Sequence, residues 1–360
     1  MTITQFYLGS IHPFGGEFGI GGAQDNGTAA WGGANRWDLL LGGDGAASVI
    51  SPSTPEQHWA VSSQRLGIFR TTNGGGTFSR ADADIDKSAA PFIAILKGCP
   101  FNEDVLIAGT DRVWKATDFF RTGGPTWEGN SPELESEVSA LAFSPADPNC
   151  ESYVVGTISG RLNLTTDGGS SWTDLDPLES IPRRPITDLV FDGQDPDLLY
   201  AALGGFDLLS EGPFEHVFVT EQAFATSPGW RNISPPIDVP VQARAALPEE
   251  PSLYAGTDLG LWKRPDQGET WYPVTSEQGF PTVAVLDLAV TSEGRTVAFT
   301  HGRGAFLKTE AGLVDLSIQS GSLPSGGICR RGRELADASH QQRARRHAGD
   351  RGGAGTGIWT

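Results

Sequence analysis

Thr165-Thr166-Asp167-Gly168-Gly169-Ser170-Ser171-Trp172 is written more than once in this chain. Thr71 to Phe78 (Thr-Thr-Asn-Gly-Gly-Gly-Thr-Phe) repeats it with Asn73 for the Asp and Phe78 for the Trp. Arg264 to Trp271 (Arg-Pro-Asp-Gln-Gly-Glu-Thr-Trp) keeps Asp266, Gly268 and Trp271. The closing aromatics Phe78, Trp127, Trp172, Trp230 and Trp271 stand 49, 45, 58 and 41 residues apart. A period in the 40s marks a repeat architecture. The octapeptide itself reads as a structural device. Asp167 is placed to accept backbone N–H bonds two residues on and pin a tight turn. Gly169 supplies the positive φ of such a turn, and Trp172 an apolar plate to wedge between neighbouring units.

Each unit has a preamble. A short apolar strand (Val138 to Phe143, Ile186 to Phe191, Val283 to Val290) leads into a polar turn such as Ser144-Pro145-Ala146-Asp147-Pro148. A second strand ends on small residues: Ile107-Ala108-Gly109-Thr110, Val154-Val155-Gly156-Thr157, Tyr254-Ala255-Gly256-Thr257. A third runs into the octapeptide, and a short fourth can follow its aromatic. Four β-rich runs per unit, bounded by Gly, Pro, Asp and Asn with no helix-period stretch, describe a propeller blade. Seven units begin near Ile3, Ala47, Phe92, Val138, Ile186, Val241 and Val283. The expected fold is therefore all-β: a seven-bladed β-propeller of four antiparallel strands per blade over residues 1–310. The seventh unit runs out after three strands, near Lys308. Its fourth strand must come from the other terminus or from Leu313 to Ile318, because a propeller has to hide its edges.

The last 50 residues hold seven of the chain's Arg and four of its acids, leaving 19 basic and 40 acidic residues in positions 1–310. So acidic a body argues against nucleic acid and anionic membrane as partners. No apolar run approaches a membrane span. Residues 311–360 read as a linker and a disordered basic tail: from Gly321 on, 16 of 40 residues are Gly or Arg. That composition is what a GC-rich gene gives when read out of frame, which resequencing of the 3′ region tests. Cys99 and Cys150 fall between the first and second strands of neighbouring units, within reach of a disulfide or standing as free thiols. The histidines lack zinc-site spacing, so no metal and no cofactor is expected. Asp82-Ala83-Asp84-Ile85-Asp86 opens like a calcium loop but has Lys87 and Ile93 where Gly and Glu are needed.

The octapeptide resembles the Asp-box, also called the BNR repeat. With Gly21-Gly22-Ala23-Gln24-Asp25-Asn26-Gly27-Thr28, Gly42-Gly43-Asp44-Gly45 and Thr300-His301-Gly302-Arg303-Gly304, residues 3–310 look like the sortilin-type and glycosidase-like propellers of bacteria. Xyloglucanases, sialidases and photosystem II assembly factors carry the same repeat. The resemblance implies an extracellular or periplasmic protein with its signal peptide upstream, a monomer or part of a longer chain. It also implies that the octapeptides lie away from any active site, and that a xyloglucanase-like cleft would need a second propeller.

Two functions compete, with an assembly or scaffolding propeller, which would show a broad patch rather than a pocket, as a third reading. In the first, the propeller binds a glycan or an extracellular protein at its axial mouth through Gln24, Asn26, His301 and Arg303. The long excursion Gly204 to Trp230 then serves as a rim, with Phe206, Phe214 or Phe224 available to stack on sugar rings. In the second, it is a glycoside hydrolase, which needs two carboxylates facing across a cleft. Asp25, Asp44, Asp111 and Asp258 sit beside the small-residue turns and are the candidates. Tyr7, Tyr153, Tyr200 and Tyr254 fall within strand patterns and read as core, and Tyr272 follows an octapeptide Trp. The Arg-Ile-Pro segment that precedes the first arginine of a sialidase is missing, Ile181-Pro182-Arg183 having the order wrong.

Overall fold

The computed structural model describes residues 4–15, 17–33, 36–207, 212–246, 252–265, 269–291, 294–309 and 312–316. Asp266, Gly268 and the whole tail from residue 317 lie outside them.

Seven four-stranded antiparallel meanders follow one another along the chain. Blade one is β1 (Phe6–Ile11), β2 (Gly19–Ala23), β3 (Gly27–Trp31) and β4 (Trp37–Leu41); blade two is β5 (Gly45–Ile50), β6 (Trp59–Ser63), β7 (Gly67–Thr71) and β8 (Ser79–Arg80). Blade three is β9 (Leu96–Gly98), β10 (Leu106–Gly109), β11 (Val113–Ala116) and β12 (Glu128–Gly129); blade four is β13 (Val138–Phe143), β14 (Tyr153–Thr157), β15 (Leu162–Thr165) and β16 (Thr173–Asp174). Blade five is β17 (Ile186–Phe191), β18 (Leu199–Leu203), β19 (Val217–Thr220) and β20 (Arg231–Asn232); blade six is β21 (Val241–Ala246), β22 (Ser252–Thr257), β23 (Gly260–Pro265) and β24 (Tyr272–Pro273). Blade seven is β25 (Val285–Val290), β26 (Thr296–Thr300), β27 (Ala305–Thr309) and β28 (Gly312–Asp315). Among the described residues, the only helical turns are two short 3-10 segments.

The seventh blade is thus whole, and its fourth strand is local. It runs past residue 310, where the sequence reading ended the propeller, and the apolar packing reaches Leu316.

The small-residue signature of each second strand has a steric cause. A Cβ at Gly109 would lie 2.6 Å from Val138, at Gly156 2.5 Å from Ile186, and at Gly256 2.7 Å from Val285. In each case the neighbour is the first residue of the next blade's innermost strand, so glycine lets consecutive blades close on each other.

The octapeptide turns match one another atom for atom. Thr165 Oγ1 donates to Asp167 Oδ1 (2.9 Å) and accepts from Gly169 N (2.9 Å); Ser171 N donates to Asp167 Oδ1 (2.8 Å). Thr71, Asn73, Gly75 and Thr77 repeat this at 2.9, 3.1 and 2.9 Å. The Asp therefore gathers a hydroxyl two residues back and an N–H four residues on, rather than an N–H two residues on. Gly168 and Gly169 both take positive φ, 71° and 99°.

The aromatics that follow do more than fill space. Trp127 Nε1 donates to Ala81 O (2.8 Å), Trp230 Nε1 to Leu175 O (2.8 Å) and Trp271 Nε1 to Ile233 O (2.5 Å). Each acceptor directly follows the outermost strand of the preceding blade. Trp172 instead donates to Gly169 O in its own turn (3.2 Å) while packing between blades three and four. The same bond closes the ring, where Trp37 Nε1 donates to Leu316 O (2.7 Å). The seam between the last blade and the first also carries Gly302 N and Gly304 N donating to Thr4 O (3.0 and 3.3 Å), and Gly9 N donating to Asp287 Oδ2 (2.8 Å).

Cys99 and Cys150 form a disulfide across blades three and four. It closes a loop of 51 residues. Because packed apolar residues already join these blades, we expect Cys99→Ser with Cys150→Ser to cost about 2 kcal/mol, the low end of the usual range. Denaturant unfolding measures it, and an unchanged midpoint would show the bridge to be idle.

Candidate functional site

In an antiparallel meander, connections alternate between the two ends of the sheet. The octapeptide turns, joining third to fourth strands, share one end with the disulfide. The other end gathers the second-to-third turns and the crossings between blades. Asp25, Asp44, Asp111, Asp258, Gln24, Asn26, His301 and Arg303 all stand at this second end.

There, blades seven, one and two bring one group together. Gln5 and His301 form an antiparallel bridge, and the Tyr7 and His301 rings lie 5.7 Å apart. Asp44 Oδ1 accepts from Asp25 N (2.7 Å), and Asp25 takes a left-handed φ of 57°. Burial, then the charges of Asp44 and Asp25, raise the Tyr7 phenol above its ordinary value, so it keeps its proton at neutral pH. His301 Nδ1 is buried without a hydrogen-bond partner. Gln24 N donates to Gln5 O (2.9 Å), and Asn26 Nδ2 to Gln24 O (2.9 Å). Arg303 is exposed and forms no ion pair among the described residues. The group offers a phenol donor, two carboxylate acceptors and an imidazole on one patch. Tyr7, read from the sequence as core, is part of it: a tyrosine in a strand pattern looks the same wherever its hydroxyl points.

The other candidates stand apart. Asp111, on blade three, accepts from Thr110 Oγ1 (3.0 Å) and faces Arg112 Nε at 3.8 Å. Asp258, on blade six, accepts from Gln242 Nε2 (2.9 Å). Each carboxylate is held within its own part of the ring. Asp82, which opens the calcium-like run, is buried and bonded to Arg80 Nε (2.8 Å) and Lys87 Nζ (2.6 Å). Phe224 lies at the opposite end, stacked on Phe191 with centroids 6.0 Å apart, and is no rim aromatic. Phe206 is exposed at the axial-mouth end.

A second polar cluster at the same end carries no sequence signal, since its members come from three separate loops. Fully buried His216 places Nε2 2.9 Å from Asp238 Oδ1, which also accepts from Asp207 N (2.7 Å). Arg184 donates to the Glu215 carbonyl. Burial lowers the His216 pKa despite Asp238, which holds the ring neutral. Arg184 Nη1, Asp207 Oδ2 and His216 Nδ1 are all buried and unpartnered.

No family model and no curated protein matches the chain. Solved structures do. The GH74 xyloglucanase from Xanthomonas campestris superposes with a TM-score of 0.62 at 18% identity, over 84% of this chain and 52% of that one. YCF48 from Cyanidioschyzon merolae gives 0.63 at 11% identity, over 85% and 95%. A chain of the mitotic checkpoint complex gives 0.59 at 11%, over 83% and 86%. The chain thus spans about half the length of the xyloglucanase it matches. At these identities the likeness establishes the fold alone: the chain is a seven-bladed β-propeller.

Proposed function

We propose that this is an extracytoplasmic propeller of the Asp-box group that binds a glycan at its axial mouth. The observation carrying the proposal is the Tyr7–His301–Asp25–Asp44 patch. A protonated phenol beside carboxylate acceptors and an aromatic pair suits hydroxyl-rich rings, which need donors, acceptors and a flat apolar face together. The matched octapeptide turns support the Asp-box assignment. The Cys99–Cys150 bridge supports an oxidising compartment. A protein ligand remains the other occupant of the same mouth.

A second reading has one observation in its favour. The Asp44 carboxylate bonds the backbone N–H of Asp25, which makes neighbours of two residues able to supply a glycoside hydrolase's carboxyl pair. Asp111 and Asp258 have local partners and lend it nothing.

Binding of the full chain to a glycan array, with a hydrolysis assay of each bound polysaccharide, tests both readings. Asp44→Asn keeps the shape but removes a charged acceptor, so affinity should fall roughly ten- to hundredfold. Turnover that disappears in Asp44→Asn would move the protein to the hydrolases. A folded wild type that binds no glycan would end the glycan reading.

A further inference from the structure

Between blades one and two, beside Asp44, lies a cavity of about 210 Å³ lined by Thr28, Leu41, Gly42, Gly43, Gln64 and Phe69 together with two serines. We infer that it is a subsite for one neutral, hydroxyl-bearing ring of the ligand, which donates a hydrogen bond to Gln64 Oε1. This rests on the glycan reading above and names where one sugar of the ligand sits.

Four observations converge. Gln64 Oε1 is buried and has no hydrogen-bond partner. A buried acceptor left open is destabilising, and such groups in folded proteins call for a missing partner. The turn that carries it is strained: Arg65 and Leu66 take consecutive left-handed φ values of 56° and 55°. Neither residue type adopts that region readily, and backbone strain of this kind concentrates at ligand sites. The opposite wall is kept clear. A Cβ at Gly42 would meet nothing within 4 Å, and the nearest atom to one at Gly43 is Gln64 Oε1 itself, 3.8 Å away. Finally, Gln64 N donates to Asp44 O (3.3 Å), so the cavity is built onto the Tyr7–Asp25–Asp44 patch.

The lining sets the ligand's chemistry. It contains no charged side chain, which disfavours ions. Leu41 and Phe69 give an apolar wall, and Gln64 Oε1 an acceptor. The volume falls below the roughly 300–1,000 Å³ of pockets that enclose drug-sized molecules, so it suits one ring of a longer chain.

The test uses the full chain and titrates wild type, Gln64→Leu and Gly42→Leu with the strongest oligosaccharide from the array and with neutral methyl glycosides. Thermal melts run alongside. Gln64→Leu removes the open acceptor, so it should melt at or above wild type while binding about tenfold more weakly. Gly42→Leu points its side chain into free space, so it should melt with wild type and bind more weakly still. Should Gln64→Leu melt lower, Gly42→Leu decides alone. If both variants stay folded and bind the oligosaccharide like wild type, the subsite is wrong while glycan binding stands. If wild type binds no sugar, both proposals fall.

Discussion

Trp37→Ala should open the propeller at its seam, lowering stability by about 3–5 kcal/mol in denaturant unfolding. Trp37 is buried and packs on Phe6 (4.8 Å between centroids) and Phe299 (6.3 Å), one from each side of the seam. Its indole N–H is also one of the bonds between the first blade and the last. Removing the ring leaves a cavity at the one junction whose two blades do not follow each other in the chain. Trp37→Phe separates the two contributions: it keeps most of the apolar plate and loses only the bond to Leu316 O, so it should cost about 1 kcal/mol. The matching change at Trp172 should cost less, because that indole bonds its own turn rather than a neighbouring blade. A Trp37→Ala protein that unfolds at the wild-type midpoint would mean that the seam is held elsewhere, by the Thr4 bonds or by Asp287.

The octapeptides were legible because the residues that make the turn are also the ones the eye can find. Thr165, Asp167 and Ser171 hold each other within seven residues, so nothing distant is needed to read them. Trp37 was not, because Gly32-Gly33-Ala34-Asn35-Arg36 before it has no Asp turn. Two-residue outer strands such as β16 and β20 are too short to show a period, and β28 is only one of the two sources the sequence offers for the last strand. The site was half legible. Asp25, Asp44 and His301 stand out by their flanking glycines. Their meeting with Tyr7 depends on ring closure, a relation between residues 5 and 301 that no local pattern carries. Gln64 has no signature at all, since Arg65 and Leu66 are not residues that announce a left-handed turn.

Gly22→Val should abolish glycan binding and cost about 3 kcal/mol or more of stability. At Gly109 and Gly156 the glycine of a second strand faces side-chain atoms of the next blade. Here it faces backbone. A Cβ at Gly22 would lie 2.1 Å from Ala46 O and 2.5 Å from Ala46 N; one at Gly45 would lie 2.4 Å from Gly27 O, and one at Gly27 2.0 Å from Leu41 O. Gly22 and Gly45 let blade two's inner strand rest directly on blade one, while Gly27 lets the end of β4 close on β3 beside them. That approach is what delivers Asp44, one residue before Gly45, to within 2.7 Å of Asp25 N. A valine at 22 has no rotamer that avoids the peptide of Ala46, so β5 has to move, beyond the usual 1–3 kcal/mol of overpacking. The carboxylate and the Gln64 cavity move with it. Gly156→Ala is the control: its clash is with Ile186 Cγ2 at 2.5 Å and Cβ at 2.7 Å, so it pushes blade five's inner strand, far from Asp44, and stability should fall but binding should hold. Binding and unfolding measured on the same preparations distinguish the cases. A Gly22→Val protein that is folded and binds like wild type would detach the glycines from the site and leave them a role in packing alone.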